Sequence, residues 1–312
     1  MLLKQTLEVL DVLDDGFVNG EKVVSLFEGY EHVDAHTEVI GGDEGETHFV
    51  KFTIKGTNGK LSGGDAPTLG IIGRLGGIGA RPSRIGFVSD GDGAAAAIAS
   101  ALKLAEMSVR NDRLPGDVVV TTHVCPDAPT QPHEPVDFMG SPIDMEVMNE
   151  YEVDPTCDAI VSIDTTKGNL VMNYKGISIS PTVKEGYILP FSPDLVRILT
   201  TVTGEPANTF AISMQDITPY GNDLYHLNSI LQPATATSAP VVGVAVTTTS
   251  AVPGSGTGAS HEVDIAAAAT FAIETAKEFT GGVSTFYDEK EFNQLVSLYG
   301  KMTHLQTLGD TE

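Results

Sequence analysis

Residues 84–107, RIGFVSDGDGAAAAIASALKLAEM, constrain the fold more than any other stretch of the chain. A short apolar segment (Ile85, Phe87, Val88) stops at Ser89-Asp90-Gly91-Asp92-Gly93, and an alanine-rich run without Pro or Gly follows. That order predicts a strand, a turn and a buried helix. Asp90 and Asp92 then stand at a strand-to-helix turn, in the crevice where open α/β sheets bind ligands. There they either cap the helix, by accepting from its free amides, or hold a cation.

The rest of the chain repeats the pattern. Leu3, Leu7, Leu10 and Leu13 recur at helical spacing until Gly16 and Asn19-Gly20 break the stripe. A short helix over 21–27 precedes two alternating segments, 32–40 and 48–54, that read as strands. His32-Val33-Asp34 has a metal-like spelling, but the alternation of Val33, Ala35, Thr37 and Val39 fits a half-exposed strand. The glycine cluster from Gly73 to Gly79 is followed by Pro82 and a strand rather than a helix, so it fails as a dinucleotide-binding turn and reads as a tight turn. Further strands are predicted at 68–72, 117–122, 159–163, 210–214 and 239–246, with a hairpin within 170–190. Helices are predicted at 143–151, 193–202, 224–230, 265–279 and 289–299, the second of these opened by Ser192-Pro193-Asp194.

Strands ending near 73, 89, 122, 163 and 246 and alternating with helices predict an α/β fold. The expected form is a three-layer αβα sandwich on a mostly parallel mixed sheet. One domain should span residues 1–300, followed by a polar tail over 301–312; no repeat or linker divides it. This arrangement gathers Asp90 or Asp92, the proline-rich loop with His123, Cys125, Asp127, His133 and Glu134, then Asp164 and His261, along one sheet edge. Carboxylates with imidazole suit zinc, manganese or cobalt.

Eighteen basic against 42 acidic residues give a formal charge of -24. Such a field repels phosphate backbones and anionic lipid, which argues against nucleic-acid and membrane partners, and it attracts cations or basic substrates. No apolar run has membrane length. The opening MLLKQTLEVLDVLDD lacks the charged first region of a signal peptide, so a cytoplasmic location is expected. Cys125 and Cys157 have no CxxC partner, and the strand reading sets them at opposite sheet edges, too far apart for a disulfide.

Several segments together carry a resemblance. They are the Leu-rich helix followed by Asn19-Gly20-Glu21-Lys22-Val23-Val24, the Ser89-Asp90 turn with its small-residue helix, and Ala159-Ile160-Val161-Ser162-Ile163-Asp164-Thr165. Gly221-Asn222-Asp223 and Ser260-His261-Glu262-Val263-Asp264-Ile265 complete the set. Over nearly the whole chain they resemble the di-zinc aminopeptidase superfamily, and are most similar to its glutamyl and deblocking aminopeptidases. The resemblance implies an aminopeptidase-like fold, with Asp90 bridging two metals, Asp164 and His261 as further ligands, and Asn222 and Asp223 near the substrate.

Two places depart from the family. Its first ligand pair, His-x-Asp, is replaced by Arg74-Leu75-Gly76, and its paired glutamates by His123-Val124-Cys125-Pro126-Asp127. Two readings follow. In the first, the chain is a divergent hydrolase of a peptide or amide bond that uses zinc or another divalent metal. Asp90, Asp164 and His261 are then ligands, Asp127 or His123 completes the site as general base, and Arg74, Asp92, Asn222 and Asp223 are candidate substrate contacts. In the second, the protein is inert, needs no metal, and binds a small peptide or amino-acid-like ligand; Arg74 then pairs with Asp90 or Asp164 in the metal's place. Relatives of this kind form closed homo-oligomers, which the resemblance implies here as well.

Overall fold

The structure, a computed structural model, describes residues 2–42, 45–80, 84–132, 138–252 and 256–309. The β-branched and alternating runs form one nine-stranded sheet: β1 (Val33–Gly42), β2 (Gly45–Ile54), β3 (Leu69–Gly73), β4 (Val118–Val124), β5 (Ala159–Thr166), β6 (Gly176–Ile179), β7 (Val183–Lys184), β8 (Tyr187–Ile188) and β9 (Val241–Thr247). Their order is β1-β2-β4-β3-β5-β9-β7-β8, with β6 also paired to β9. The four central strands are parallel: Ile71 lies opposite both Val120 and Val161, and Ile163 lies opposite Val244. On either side the pairings turn antiparallel, β1 with β2, β2 with β4, and β6 and β7 with β9. The expected mostly parallel sheet is therefore confined to its centre. Parallel neighbours need a crossover connection of about a dozen or more residues, whereas β1 and β2 are only two residues apart in the chain and can only run antiparallel.

Every residue of β3, β4 and β9 is buried, as expected for strands covered on both faces. On one face, Ile71, Val120, Val161 and Val244 share a core with α1 (Leu3–Leu13), α3 (Asp92–Val109), α5 (Pro193–Thr203) and α6 (Glu262–Thr280). On the other, Ile72, Val119, Ile160 and Ala245 pack against Phe210, Ile217, Ile230 and Leu231 of an irregular segment. Beside that segment, α4 (Met145–Glu152) lies against β2 and β4. The short α2 (Gly20–Ser25) packs on the β1–β2 hairpin, and α7 (Glu289–Tyr299) reaches β8 through Tyr187 and Phe292.

The alanines of α3 let that helix sit directly on the sheet: a Cβ on Gly73 would meet the Gly93 carbonyl oxygen at 2.5 Å and the Ala97 methyl at 2.8 Å. On its far side the Ser100 hydroxyl donates to the Ala269 carbonyl of α6 at 3.4 Å. In α5, the Ser192 hydroxyl caps the helix as expected, accepting from the Leu195 amide.

Three expected elements are absent. Residues 85–88 do not enter the sheet; among the described residues Arg84–Ile85 pairs with Gly79–Ala80 in a separate ribbon, and Ile85 is 65% exposed. The left-handed Gly86 (φ 88°) ends that ribbon, so α3 follows β3 in the fold. Residues 210–214 form no strand; the nearest pairing is a single bridge between Thr209 and Ile179. Residues 224–230 form no helix, because the side chains of Asn222, Asp216 and Asn228 take the amides of Leu224, Leu227 and Ile230. Local side-chain acceptors of this kind compete directly with helix formation. The segment after α7 is docked: Gln306 donates to the carbonyls of Ala234 and Thr237 at 2.8 Å. Both cysteines are buried and free. No described helix is long and apolar enough to cross a membrane.

Candidate functional site

The parallel register brings the carboxyl ends of β3, β4, β5 and β9 to one edge. There a cleft of about 890 Å³ opens, lined by Asp90, His123 and Asp164 among others. Asp164, near the end of β5, is fully buried. One of its oxygens accepts from the Ser229 hydroxyl at 2.5 Å and the other from the Thr165 amide at 2.7 Å. Burial outweighs those bonds and pushes its carboxyl up to about 6.

Asp90 sits in the single turn Ser89–Gly91 that precedes α3, and neither it nor Asp92 caps the helix. Its carboxyl has no hydrogen-bond partner among the described residues. Burial, with the charges of Asp164 and Asp92 added, pushes it up to about 8. At neutral pH Asp90 therefore holds a proton.

Behind the cleft wall lies a buried relay. The Arg74 guanidinium, 0% exposed, donates through Nη1 to Glu152 Oε2 at 2.5 Å and rests its Nη2 against the Met145 sulfur. The other Glu152 oxygen takes His123 Nδ1 at 2.5 Å, and His123 Nε2 accepts the Gly76 amide at 3.1 Å. An Nε2 that accepts a backbone N–H carries no proton, so the His123 ring proton sits on Nδ1 and points to Glu152. Burial opposes a charge on Glu152, but Arg74 and His123 prevail and hold its carboxyl below the usual range. Arg74 thus has a different partner from the expected Asp90 or Asp164.

A second buried pair flanks the site. Lys167, its side chain 3% exposed, binds Asp92 at 2.5 Å, and the Ser260 hydroxyl donates to the other Asp92 oxygen at 2.5 Å. Burial raises the Asp92 carboxyl in spite of Lys167. The remaining wall mixes apolar side chains, Leu75, Met139, Ile143, Met145 and Met148, with the polar Tyr220, His226 and Asn228, and two exposed acids, Asp144 and Glu146, also line it. Cys125 also lines the cleft, and burial pushes its thiol up to about 11.

Of the residues singled out from sequence, the structure brings Asp90, His123 and Asp164 together. Arg74 and Asp92 lie behind them in the two ion pairs. Asp127 is exposed and outside the cleft lining. The His261 side chain, 56% exposed at the start of α6, faces Asp264 at 4.0 Å rather than the cleft. Asn222 closes a turn, donating to the Thr218 hydroxyl at 2.8 Å, and Asp223 is exposed at the apex of that turn with φ 57°. His133 and Glu134 lie outside the described residues, as do Pro253, Gly254 and Ser255 of the loop before α6.

This donor set does not fit a divalent metal. His123 has both nitrogens engaged, His261 and Asp127 are outside, and no group of three His, Cys, Asp or Glu among the described residues could hold an ion. Three residues of the site were not singled out from sequence: Glu152, Lys167 and Ser229. Glu152 follows Met148 by four positions on the buried side of α4, a spacing that marks an acid on a core-facing stripe. Lys167 is the cation directly after Asp164-Thr165-Thr166, and Ser229 carries no signal of its own. The sequence model of one protein family, described as "Protein of unknown function (DUF1177)", matches residues 38–309. A search of curated proteins gave no match.

Proposed function

The chain belongs to the DUF1177 family, whose matched span takes in the whole cleft from Leu75 to Leu308, and we propose on that footing that it binds a small amine-bearing ligand, the class that includes amino acids and peptides. The observation that carries this reading is Asp90, a carboxyl 8% exposed that lines the cleft beside Asp164 with no hydrogen-bond partner among the described residues. A carboxyl so enclosed keeps little of its water and gains from a fixed partner. An incoming ammonium brings both the donor and the charge that Asp90 lacks, and allows it to ionise. The overall charge of -24 favours the same sign of ligand.

We read the architecture as an aminopeptidase-like three-layer sandwich in which the Arg74–Glu152 pair stands in the region of the first metal. Metal-dependent hydrolysis, the other reading implied by the resemblance, needs further donors beside Asp90 and Asp164. His123, His261 and Asp127 do not supply them, so no reaction step is derived. Two measurements test the choice. Protein purified without chelator should carry less than about a tenth of a metal atom per chain, with a melting temperature indifferent to EDTA. One tightly held zinc, manganese or cobalt per chain would restore the hydrolase. Calorimetric titration with n-butylamine should show binding that Asp90→Asn weakens about tenfold or more; equal affinity in the variant would overturn the ammonium site.

A further inference from the structure

The cleft is acidic at two depths. Asp90 and Asp164 are buried at its floor, Asp144 and Glu146 are exposed at its mouth, and the wall bears Met139, Ile143, Met145 and Met148. Both cations of the site are already committed, Arg74 to Glu152 and Lys167 to Asp92. We propose that the ligand is a linear aliphatic diamine or polyamine, with one ammonium at Asp90 and Asp164, its methylene chain along the methionine wall, and a second ammonium at Asp144 and Glu146. This rests on the reading that an ammonium enters the cleft, and narrows the ligand to a cation without a carboxylate.

Three features carry the choice. In a free amino acid the carboxylate lies beside the ammonium, which would place it against Asp90 and Asp164 with no free cation among the described residues to receive it. Like charges in a buried site repel strongly. A peptide would bring backbone amides along Met139, Ile143, Met145 and Met148, and each amide turned to that side of the cleft would lose its water without finding a side-chain partner. Methylenes lose nothing there, and flexible methionines adapt to a thin chain. Finally, a volume of about 890 Å³ is at the upper end for small-molecule pockets and exceeds the needs of a single small monoamine.

The test is isothermal titration of the full chain at pH 7 and low salt with 1,4-diaminobutane, spermidine, n-butylamine, L-lysine and trialanine. Tethering two charges makes the second contact intramolecular, so the diamine and spermidine should bind at least about tenfold more tightly than n-butylamine. L-Lysine and trialanine should bind no more tightly than n-butylamine. In an Asp144→Asn/Glu146→Gln double variant, shown to be folded by its melting temperature, the ratio of diamine to butylamine affinity should fall close to one. Equal binding of diamine and butylamine by the wild type, a ratio unmoved by the double variant, or tighter binding of L-lysine or trialanine would each overturn the diamine and leave the ammonium site standing. Absence of binding by every amine would remove both.

Discussion

At Asp90, burial and two neighbouring carboxylates act in the same direction, and the result can be read in the stability of the fold. Its carboxyl rises from an ordinary 3.8 to about 8, so the folded state holds the proton more tightly than the unfolded chain. The stabilisation is complete below about 3.8 and is lost as pH climbs to about 8. Asp90→Asn keeps the shape and removes the ionisation. The variant should melt above the wild type at pH 8, and the difference should shrink towards pH 5. For the same reason amine binding at pH 7 should release a proton, seen as a dependence of the calorimetric heat on the ionisation enthalpy of the buffer.

Arg74 presents the opposite case, a buried charge held against a carboxylate, Glu152. Arg74→Met leaves Glu152 charged and buried with only His123, which should cost about 3–5 kcal/mol in urea unfolding. Asp164 was legible in the sequence as the end of a buried strand before a polar turn, and Asp90 as the turn before a small-residue helix, although the strand expected ahead of it is not in the sheet. The Arg74–Glu152–His123 relay was not. Arg74 and Glu152 are 78 positions apart, and nothing local to either tells which buried charge will meet which.

Among the elements, α3 is the one on which the site depends, since it begins at Asp92, directly after the turn that carries Asp90, and its alanines lie against β3. The contact at Gly73 leaves no room for a methyl group, so Gly73→Ala should destabilise the protein by about 1–3 kcal/mol in urea unfolding through overpacking. It should also weaken amine binding, because Gly73 adjoins the turn of Arg74 and Leu75. The central strands and long helices were readable from periodicity, which reports burial directly. Residues 85–88, 210–214 and 224–230 misled for a physical reason. Their apolar residues are real, but the sheet has no place for the first two, and in the third Asn222, Asp216 and Asn228 hydrogen-bond the amides that a helix would have used. The antiparallel flanks were likewise hidden, since alternation specifies a strand but not the direction of its neighbour.

For the molecule as a whole, the dominant quantity is a charge of -24 on 312 residues. Self-repulsion on that scale loosens the folded state and is screened by salt, with a Debye length of about 10 Å at 0.1 M. The melting temperature should therefore rise as sodium chloride increases from about 0.02 to 0.5 M, while amine affinity falls over the same range. Opposite signs for fold and ligand would separate general repulsion from the local attraction of the cleft.

The two ends of the sheet face different fates in solution. β8 is two residues long and backed by α7, but β1 presents ten residues that pair on one side only among the described residues. A bare edge of that length is a template for a strand from another molecule. The exposed Asp34 and Glu38 put like charges on the edge of every copy. Near the isoelectric point of about 4.5 the net repulsion between whole molecules vanishes, and the hairpin becomes the place where ribbons of molecules would begin to grow.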